Sequence, residues 1–277
     1  MSETDGGNGK ARADEQTPKS AILESEIEDG LNELERPSGG LFLSALSAGL
    51  DIGFGPLLMA TVATLAAGVW SEVTTTIVLA NLYSVGFIFV VLGRSELFTE
   101  HTALAVLPVL DGRASLTQLG RLWGIVYLGN AVGAVAFAVI VVTVGPSFGV
   151  IEPKAFVDIG GQLVGHPPQV TFAAAILAGW LMGLLSWLVS AAQETVSRTL
   201  FVWLVATTIG IAHLPHCIAG TVEVLAAVLV SPSMGLATFG EFLVTSTLGN
   251  AVGGTVFVAL LKYGHVVRGG STPSADL

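Results

Sequence analysis

A polar stretch at residues 93–101 interrupts an apolar run that extends over residues 77–110. Four of its nine side chains are ionisable, and charges at bilayer depth are costly unless they face water or a partner. Between these charges lie Leu97, Phe98 and Thr99. If the helix is broken here, the two apolar side chains project into a narrow lumen and form a constriction that stops bulk water and hydrated ions. The stretch therefore predicts a gate at Leu97, Phe98 and Thr99.

A second polar cluster lies inside the apolar run at residues 199–230, and His216 is its central residue. Pro215 before it cannot donate a backbone hydrogen bond, so it predicts a second helix break. The side chain of histidine is the one whose unperturbed pKa lies near neutral pH, so an imidazole at such a break can exchange a proton there. It could attract an anion, donate a proton to it, or hold Thr99 by a hydrogen bond; the alternative is a purely structural histidine. His213, one turn earlier, is predicted to lie at a vestibule.

Other ionisable groups near these breaks form a secondary set of candidates. A pair between Arg94 and Glu96 or Glu100 would be a salt bridge that stabilises the first loop. Asp51 lies in the glycine-rich residues 49–55, which predicts close helix packing and an interhelical hydrogen bond. The secondary candidates are Glu96, Glu100, Arg94, His213, Glu223 and Asp51.

Two asparagines, Asn130 and Asn250, each lie beside a glycine that permits close helix approach. We expect both to have structural roles as bridges between helices.

Enzyme motifs are absent from the sequence, which has no phosphate-binding glycine loop and no Gly-x-Ser-x-Gly element. His213 and His216 are spaced so that they could in principle bind zinc, but the sequence offers no clear third ligand. We therefore expect no catalytic residue, no metal and no cofactor. The net charge of −10 argues against a nucleic-acid partner.

The composition indicates a helical membrane protein. Of the 277 residues, 52% are hydrophobic and 12% are charged, whereas soluble domains carry about 25% charged residues. A helix needs about 20 apolar residues to cross the hydrocarbon core of a bilayer. Six runs approach or exceed this length: 41–69, 77–110, 120–144, 170–192, 199–230 and 239–263.

The chain also repeats itself. The six residues 128–133 (LGNAVG) recur at 248–253, an offset of 120, and the same offset moves residues 96–101 of the first polar break onto residues 216–221. Three spans per half is an odd number, so the halves must be inverted relative to each other. Interrupted segments at matching places in inverted halves indicate a transport site near the midplane. We predict halves at about 39–144 and 169–264 within a channel domain at 39–266.

The two tails are predicted to be cytoplasmic. Residues 1–38 hold ten acidic and four basic residues and are expected to be disordered, although residues 21–34 could form a surface helix. Residues 267–277 form a short C-terminal tail. The positive-inside bias places both termini in the cytoplasm of a multi-pass protein of the plasma or inner membrane. The inside loops carry Arg113, Arg121, Arg198, Lys262 and Arg268, against Lys154 outside.

Four ordered motifs resemble the formate/nitrite transporter family over residues 40–264. They are Ser95-Glu-Leu-Phe-Thr99, Tyr127-Leu-Gly-Asn130 with Gly133, Pro215-His216-Cys-Ile-Ala219, and Thr247-Leu-Gly-Asn250 with Gly253-Gly254. The resemblance implies an aquaporin-like bundle of six helices, two of them broken, with a 3+3 inverted repeat. It also implies a homopentamer with one pore in each subunit.

By position, the resemblance makes Leu97, Phe98 and Thr99 the flexible loop beside the constriction and His216 the central histidine. In this family the histidine is thought to help a small monocarboxylate or nitrite-like anion cross as the neutral acid. Protonation removes most of the cost of desolvating an anion.

Several positions depart from the family pattern and indicate a divergent branch. Pro215 replaces the acid before the central histidine, Gly220 replaces an asparagine, and Gly179 replaces an asparagine of the fourth span. The lysine expected at the start of that span is missing, and Glu100 adds a negative charge beside the loop.

The predicted function is a channel or transporter for a small monovalent anion or its conjugate weak acid. One alternative is a pore for a small neutral solute, which Glu100 and the missing lysine favour. The other is a non-transporting membrane sensor or scaffold whose acidic tail binds a partner.

Overall fold

The computed structural model describes residues 17–269, and every regular element among them is helical. The first part of the chain forms α1 (Lys19–Glu35), α2 (Ser38–Asp51), α3 (Phe54–Ala66), α4 (Glu72–Gly93), α5 (Phe98–Leu104), α6 (Leu107–Leu110) and α7 (Leu116–Ser147). The second part forms α8 (Pro153–Gly161), α9 (Pro168–Ala191), α10 (Thr195–Ile211), α11 (Ala219–Val230), α12 (Leu236–Val252), a π-helical segment (Gly253–Leu260) and α13 (Leu261–Arg268).

Five of these helical stretches are long and apolar enough to cross a membrane, with 22 to 33 residues each. They are Ser38–Ala66, Glu72–Gly93, Leu116–Ser147, Pro168–Ala191 and Leu236–Arg268. Shorter apolar helices cover Phe98–Leu110, Thr195–Ile211 and Ala219–Val230. Large apolar side chains such as Leu65 and Phe148 remain exposed, as expected for a surface that meets lipid.

Both predicted breaks fall between helices. After α4 the chain turns at Arg94, whose φ of 54° lies in the left-handed region, and helix resumes with α5 at Phe98. After α10 it turns at His213, whose φ is 48°, and helix resumes with α11 at Ala219. The chain therefore runs without helix through residues 94–97 and 212–218.

The N-terminal segment differs from the disorder expected for it. Its described part forms α1, which agrees with the amphipathic helix predicted at residues 21–34. The helix packs against α5, α6, α7, α9 and α13, and it buries Ile22, Leu23, Ile27 and Leu34. Composition averaged over the tail predicts disorder, but this apolar stripe provides a face that can dock. Residues 1–16 and 270–277 of the predicted tails lie outside the described residues.

Candidate functional site

The first break is held in place by one buried side chain, that of Asn130 on α7. Its Oδ1 accepts the backbone N–H of Phe98 at 2.8 Å. Its Nδ2 donates to the carbonyl of Glu96 at 2.8 Å and to that of Ala45 on α2 at 2.7 Å. Backbone that leaves a helix at membrane depth needs such partners. Asn130 therefore bonds both to the loop and to a neighbouring helix.

Asn250 on α12 makes the same set of bonds at the second break. Its Oδ1 accepts the N–H of Cys217 at 2.8 Å. Its Nδ2 donates to the carbonyl of Pro215 at 2.9 Å and to that of Ala175 on α9 at 2.8 Å. Two buried asparagines thus hold two helix interruptions by the same scheme.

Glycines on the partner helices make these contacts possible. A Cβ on Gly49 would lie 2.2 Å from the carbonyl oxygen of Asn130, and one on Gly179 would lie 2.1 Å from that of Asn250. No side chain fits at such distances, so α2 and α9 approach the asparagines only because these positions are glycine.

The two breaks meet at a hydrogen bond of 2.8 Å between Thr99 Oγ1 and His216 Nε2. Both residues are buried. The other ring nitrogen, Nδ1, accepts the backbone N–H of Ala219 at 3.2 Å. An accepting nitrogen carries no hydrogen, so the neutral ring bears its hydrogen on Nε2 and donates it to Thr99. The hydroxyl hydrogen of Thr99 is then free to be donated to a third group.

Apolar and aromatic side chains surround this pair. The ring of Phe87 meets the imidazole of His216 edge to face, with centroids 5.0 Å apart. The ring of Phe98 meets Tyr127 at 5.1 Å in the same manner, and Leu97 is fully buried. A charged species at the Thr99–His216 pair would therefore have almost no polar partner besides that pair.

A charged cluster lies on the α1 side of the pair and corrects one expectation. Glu96 does not pair with Arg94, which is exposed and forms no ion pair among residues 17–269. Instead, Glu96 binds Arg36 at 2.6 Å and His101 at 2.5 Å, and Arg36 also binds Glu33 of α1 at 2.7 Å. The residue that ties this loop to the N-terminal segment is thus Arg36.

Glu100 lies half-buried near this cluster and makes no side-chain hydrogen bond within the described chain. Arg94 does not pair with it among residues 17–269, contrary to the expected salt bridge. The α1 side of the site is therefore acidic, with Glu33, Glu96 and Glu100 close to a single arginine.

Glu26 is the buried acid of α1, and Ser186 and Ser190 of α9 both donate hydrogen bonds to it. Burial raises the pKa of Glu26 from 4.5 to about 7, although the two serine hydrogen bonds act in the opposite direction. The folded chain thus favours the protonated carboxyl.

The docking of α1 should consequently depend on pH. A raised pKa means that the folded state binds the proton more tightly, so the stabilisation is complete below about pH 4.5 and is lost as the pH rises through about 7. The total change is on the order of 3 kcal/mol. Protection factors of α1 amides in hydrogen exchange should fall over this range. Glu26→Gln should abolish the fall, while the exposed Glu28→Gln should leave it in place; an unchanged profile in Glu26→Gln would contradict this account.

At the opposite end of α4, a cavity of about 780 Å³ opens on the other side of the pair. His213, predicted to lie at a vestibule, lines this cavity and also a smaller space of about 20 Å³ next to it. That smaller space is bounded by Tyr83 and by Glu223, which is only 7% exposed. Tyr83 packs against Phe87 with ring centroids 5.1 Å apart, and Phe87 in turn contacts the imidazole of His216.

Asp51 does not take part in the site. Its carboxylate accepts a hydrogen bond from Ser47 of the same helix at 3.0 Å. The prediction of an interhelical hydrogen bond at Asp51 is therefore wrong. The close packing predicted for this stretch is present at Gly49.

Sequence reasoning missed Arg36, His101 and Glu26 as parts of this arrangement. No local pattern marks Arg36, because its partner Glu96 lies 60 positions away. His101 was visible in the polar stretch, but its pairing with Glu96 depends on the geometry of α5. Among residues 17–269 no group of three potential ligands could hold a metal ion.

The chain is similar to known membrane transport proteins. The model of the formate/nitrite transporter family matches residues 20–264. The inner membrane protein YfdC of Escherichia coli (strain K12) is 34% identical over 256 residues, covering 89% of this chain and 78% of that protein.

Two solved structures share the fold. A chain described as an FNT family ion channel superposes with a TM-score of 0.78 at 23% identity, covering 88% of this chain and 98% of its own length. A pentameric formate channel with formate bound superposes with a TM-score of 0.69 at 25% identity, covering 83% and 98% respectively.

Proposed function

The chain belongs to the formate/nitrite transporter family, and from this premise we propose that it conducts a small monovalent weak acid, of the formate or nitrite class, across the membrane. The observation that carries the proposal is the hydrogen bond between Thr99 and His216, which joins the two helix breaks inside an apolar shell. The family is one of transporters rather than enzymes.

The substrate crosses the centre as the neutral acid. A bare anion at the Thr99–His216 pair would lose its hydration among Phe87, Phe98 and Leu97, and an unpaired buried charge is very costly. The neutral acid avoids that cost and needs only hydrogen bonds. The Thr99 hydroxyl supplies one of these hydrogen bonds. Its oxygen accepts the Nε2–H of His216, so the hydroxyl hydrogen of Thr99 remains free to be donated to the substrate.

His216 therefore handles the substrate's proton indirectly, by fixing which way the Thr99 hydroxyl points. Leu97 and Phe98 form the gate, since both are buried beside the pair and leave no wide aqueous passage for hydrated ions.

The proposed architecture is an aquaporin-like bundle of six spans with a 3+3 inverted repeat. The matching hydrogen bonds of Asn130 and Asn250 support the repeat, because unrelated halves would not be expected to bond their helix breaks through equivalent asparagines. The fifth span would consist of α10 and α11 together. Likeness to a pentameric formate channel supports a homopentamer in which each subunit has its own pore.

For the orientation we propose, from the positive-inside bias of the basic residues, that the α1 side and both termini face the cytoplasm of a plasma or inner membrane. The cavity at His213 then faces the outside.

A pore for a small neutral solute is the second candidate, and the absence of a lysine at the start of α9 favours it, because no cation there attracts an anion. Purified protein in proteoliposomes separates the candidates. If the protein conducts weak acids, uptake of formate, nitrite, acetate or bisulfide should acidify the lumen of the proteoliposomes. Uptake of glycerol or water without any acid flux would instead support the neutral-solute pore and exclude the proposed function.

Removal of the gate should make the pore leak. Phe98→Ala deletes the ring that packs against Tyr127, and we expect a chloride leak that the wild type lacks because the constriction widens. The matched control is Phe148→Ala, since Phe148 is 79% exposed. Chloride efflux from proteoliposomes measures the leak, and size-exclusion chromatography verifies assembly. An assembled Phe98→Ala protein that remains tight to chloride would argue against the gate.

A further inference from the structure

Glu223 is a buried carboxyl that the proposed mechanism leaves unused. It lies on α11, is 7% exposed, and takes part in no ion pair or side-chain hydrogen bond among residues 17–269. Its oxygens therefore have no cation and no hydrogen-bond donor among those residues that could stabilise a negative charge. Its side chain lines a space of about 20 Å³, which has room for about one water molecule.

The space at Glu223 continues the vestibule inward. His213 borders both the cavity of about 780 Å³ and the smaller space, and Met59, Ile159 and Gln162 are likewise shared by the two. The carboxyl therefore stands where the wide vestibule narrows toward Phe87 and His216. Formate is larger than water, so this space must widen to admit it, and a solute on such a route meets Glu223 before the Thr99–His216 pair.

The titratable groups that face Glu223 are few. Tyr83 of α4 and His213, which follows α10, border the same space. The surrounding α3, α7 and α8 present apolar side chains to it, namely Pro56, Val141, Phe156 and Ile159. Farther out, the rim of the vestibule carries Glu72, Glu152 and the ion pair of Lys154 with Asp158. No cation therefore stands close enough to hold Glu223 as a carboxylate.

His216 cannot be the source of a proton. Its Nδ1 is occupied by the Ala219 N–H, so its one hydrogen is on Nε2. Release of that hydrogen would leave an imidazolate, and protonation of Nδ1 would require the Ala219 hydrogen bond to break. A substrate that arrives as an anion must therefore gain its proton before it reaches this pair.

We propose that Glu223 is the general acid that protonates the substrate anion at the inner end of the vestibule. This inference rests on the proposed function. The proton leaves the carboxyl oxygen of Glu223 and forms the O–H bond of the neutral acid while His213 passes a proton to Glu223 in the same step. The proton therefore comes overall from vestibule water, and no isolated carboxylate is left on α11. No net charge enters the apolar centre, and the step needs no other reactant.

The same carboxyl sets specificity. A monovalent weak acid can accept the proton and proceed, whereas chloride, the anion of a strong acid, cannot become neutral and is rejected. Substrates are thus selected by their basicity as well as by their size.

The test is the pH profile of weak-acid uptake into proteoliposomes, with formate as the probe. Glu223→Gln keeps the shape of the side chain and removes the proton, and the exposed Glu241→Gln serves as its matched control. At about pH 7, where formate is almost entirely anionic, Glu223→Gln should slow uptake at least about tenfold, as expected for loss of a general acid. At about pH 4, where formate arrives largely protonated, the rates should nearly coincide.

A second variant distinguishes loss of proton transfer from a folding defect of Glu223→Gln. His213→Asn removes the relay to water but suits the left-handed backbone at this position, which asparagine tolerates. It should show the same slowing confined to neutral pH. Infrared difference spectra should also show a protonated-carboxyl band in the wild type that is absent from Glu223→Gln.

The outcomes separate the two proposals. Loss of uptake by equal factors at every pH in both variants, or profiles identical to that of Glu241→Gln, would overturn the role of Glu223 while leaving the weak-acid pathway standing. Absence of any formate, nitrite, acetate or bisulfide uptake by the wild type would overturn the proposed function itself.

Discussion

Asn130→Ala is expected to lower the free energy of unfolding by about 4 kcal/mol, because it leaves the N–H of Phe98 and the carbonyls of Ala45 and Glu96 without partners. Asn250→Ala should cost nearly the same, because it removes the equivalent three bonds. For a chain of this size the change corresponds to a fall of about 10 °C in the midpoint of thermal unfolding.

Asn81→Ala provides the control for both variants. Asn81 is a partly exposed residue of α4 that bonds to its own helix and to Trp203. Its loss should cost about 1 kcal/mol or less. Thermal unfolding in detergent, followed by intrinsic tryptophan fluorescence, measures all three variants. If Asn250→Ala proved no more damaging than Asn81→Ala, the common scheme of the two breaks could not be upheld.

His216→Asn is expected to reduce weak-acid flux by about 100-fold, comparable to the loss of one preorganised donor in a dehydrated site. Asparagine does not reach Thr99 in the same way, so the hydroxyl loses the hydrogen bond that orients it. Thr99→Val should have a similar effect, since it keeps the volume and removes the hydroxyl, whereas Thr99→Ser should retain most of the flux.

The two residues should act as one unit. The double variant with His216→Asn and Thr99→Val is expected to be no slower than either single variant, because each substitution already removes the shared interaction. His265→Asn, at an exposed site on α13, is the control and should transport normally. If the fold reductions in flux of the two single variants multiplied in the double variant, the two residues would contribute separately.

The sequence predicted interruptions in the two apolar runs where residues 94–97 and 212–218 lie between helices, and it singled out Asn130 and Asn250, although as bridges between helices rather than as partners of the interrupted backbone. The charges at residues 93–101 and the repeated LGNAVG motif both follow from physics that acts locally: a charge is costly in lipid, and a buried amide needs partners. The offset of 120 also brought Thr99 and His216 into the same region, although only the structure gives their 2.8 Å contact.

The remaining features depend on contacts that local patterns do not encode. Arg36 reaches Glu96 only because α1 docks on the bundle, and that docking follows from a stripe of apolar residues rather than from average composition. Asp51 appeared to face a neighbouring helix, but its orientation is settled by packing at Gly49 and by Ser47 nearby. The position of Glu223 at the small space beside the vestibule likewise depends on how α8, α10 and α11 meet.

The central claim is that a weak acid crosses in neutral form at the Thr99–His216 pair. It is tested most directly by formate uptake into proteoliposomes whose membrane potential is clamped with potassium and valinomycin while luminal pH is recorded. We predict that uptake acidifies the lumen in proportion to the formate taken up and that its rate does not change with the imposed potential. Uptake that leaves luminal pH unchanged and follows the potential would mean that the bare anion crosses, and it would contradict the account.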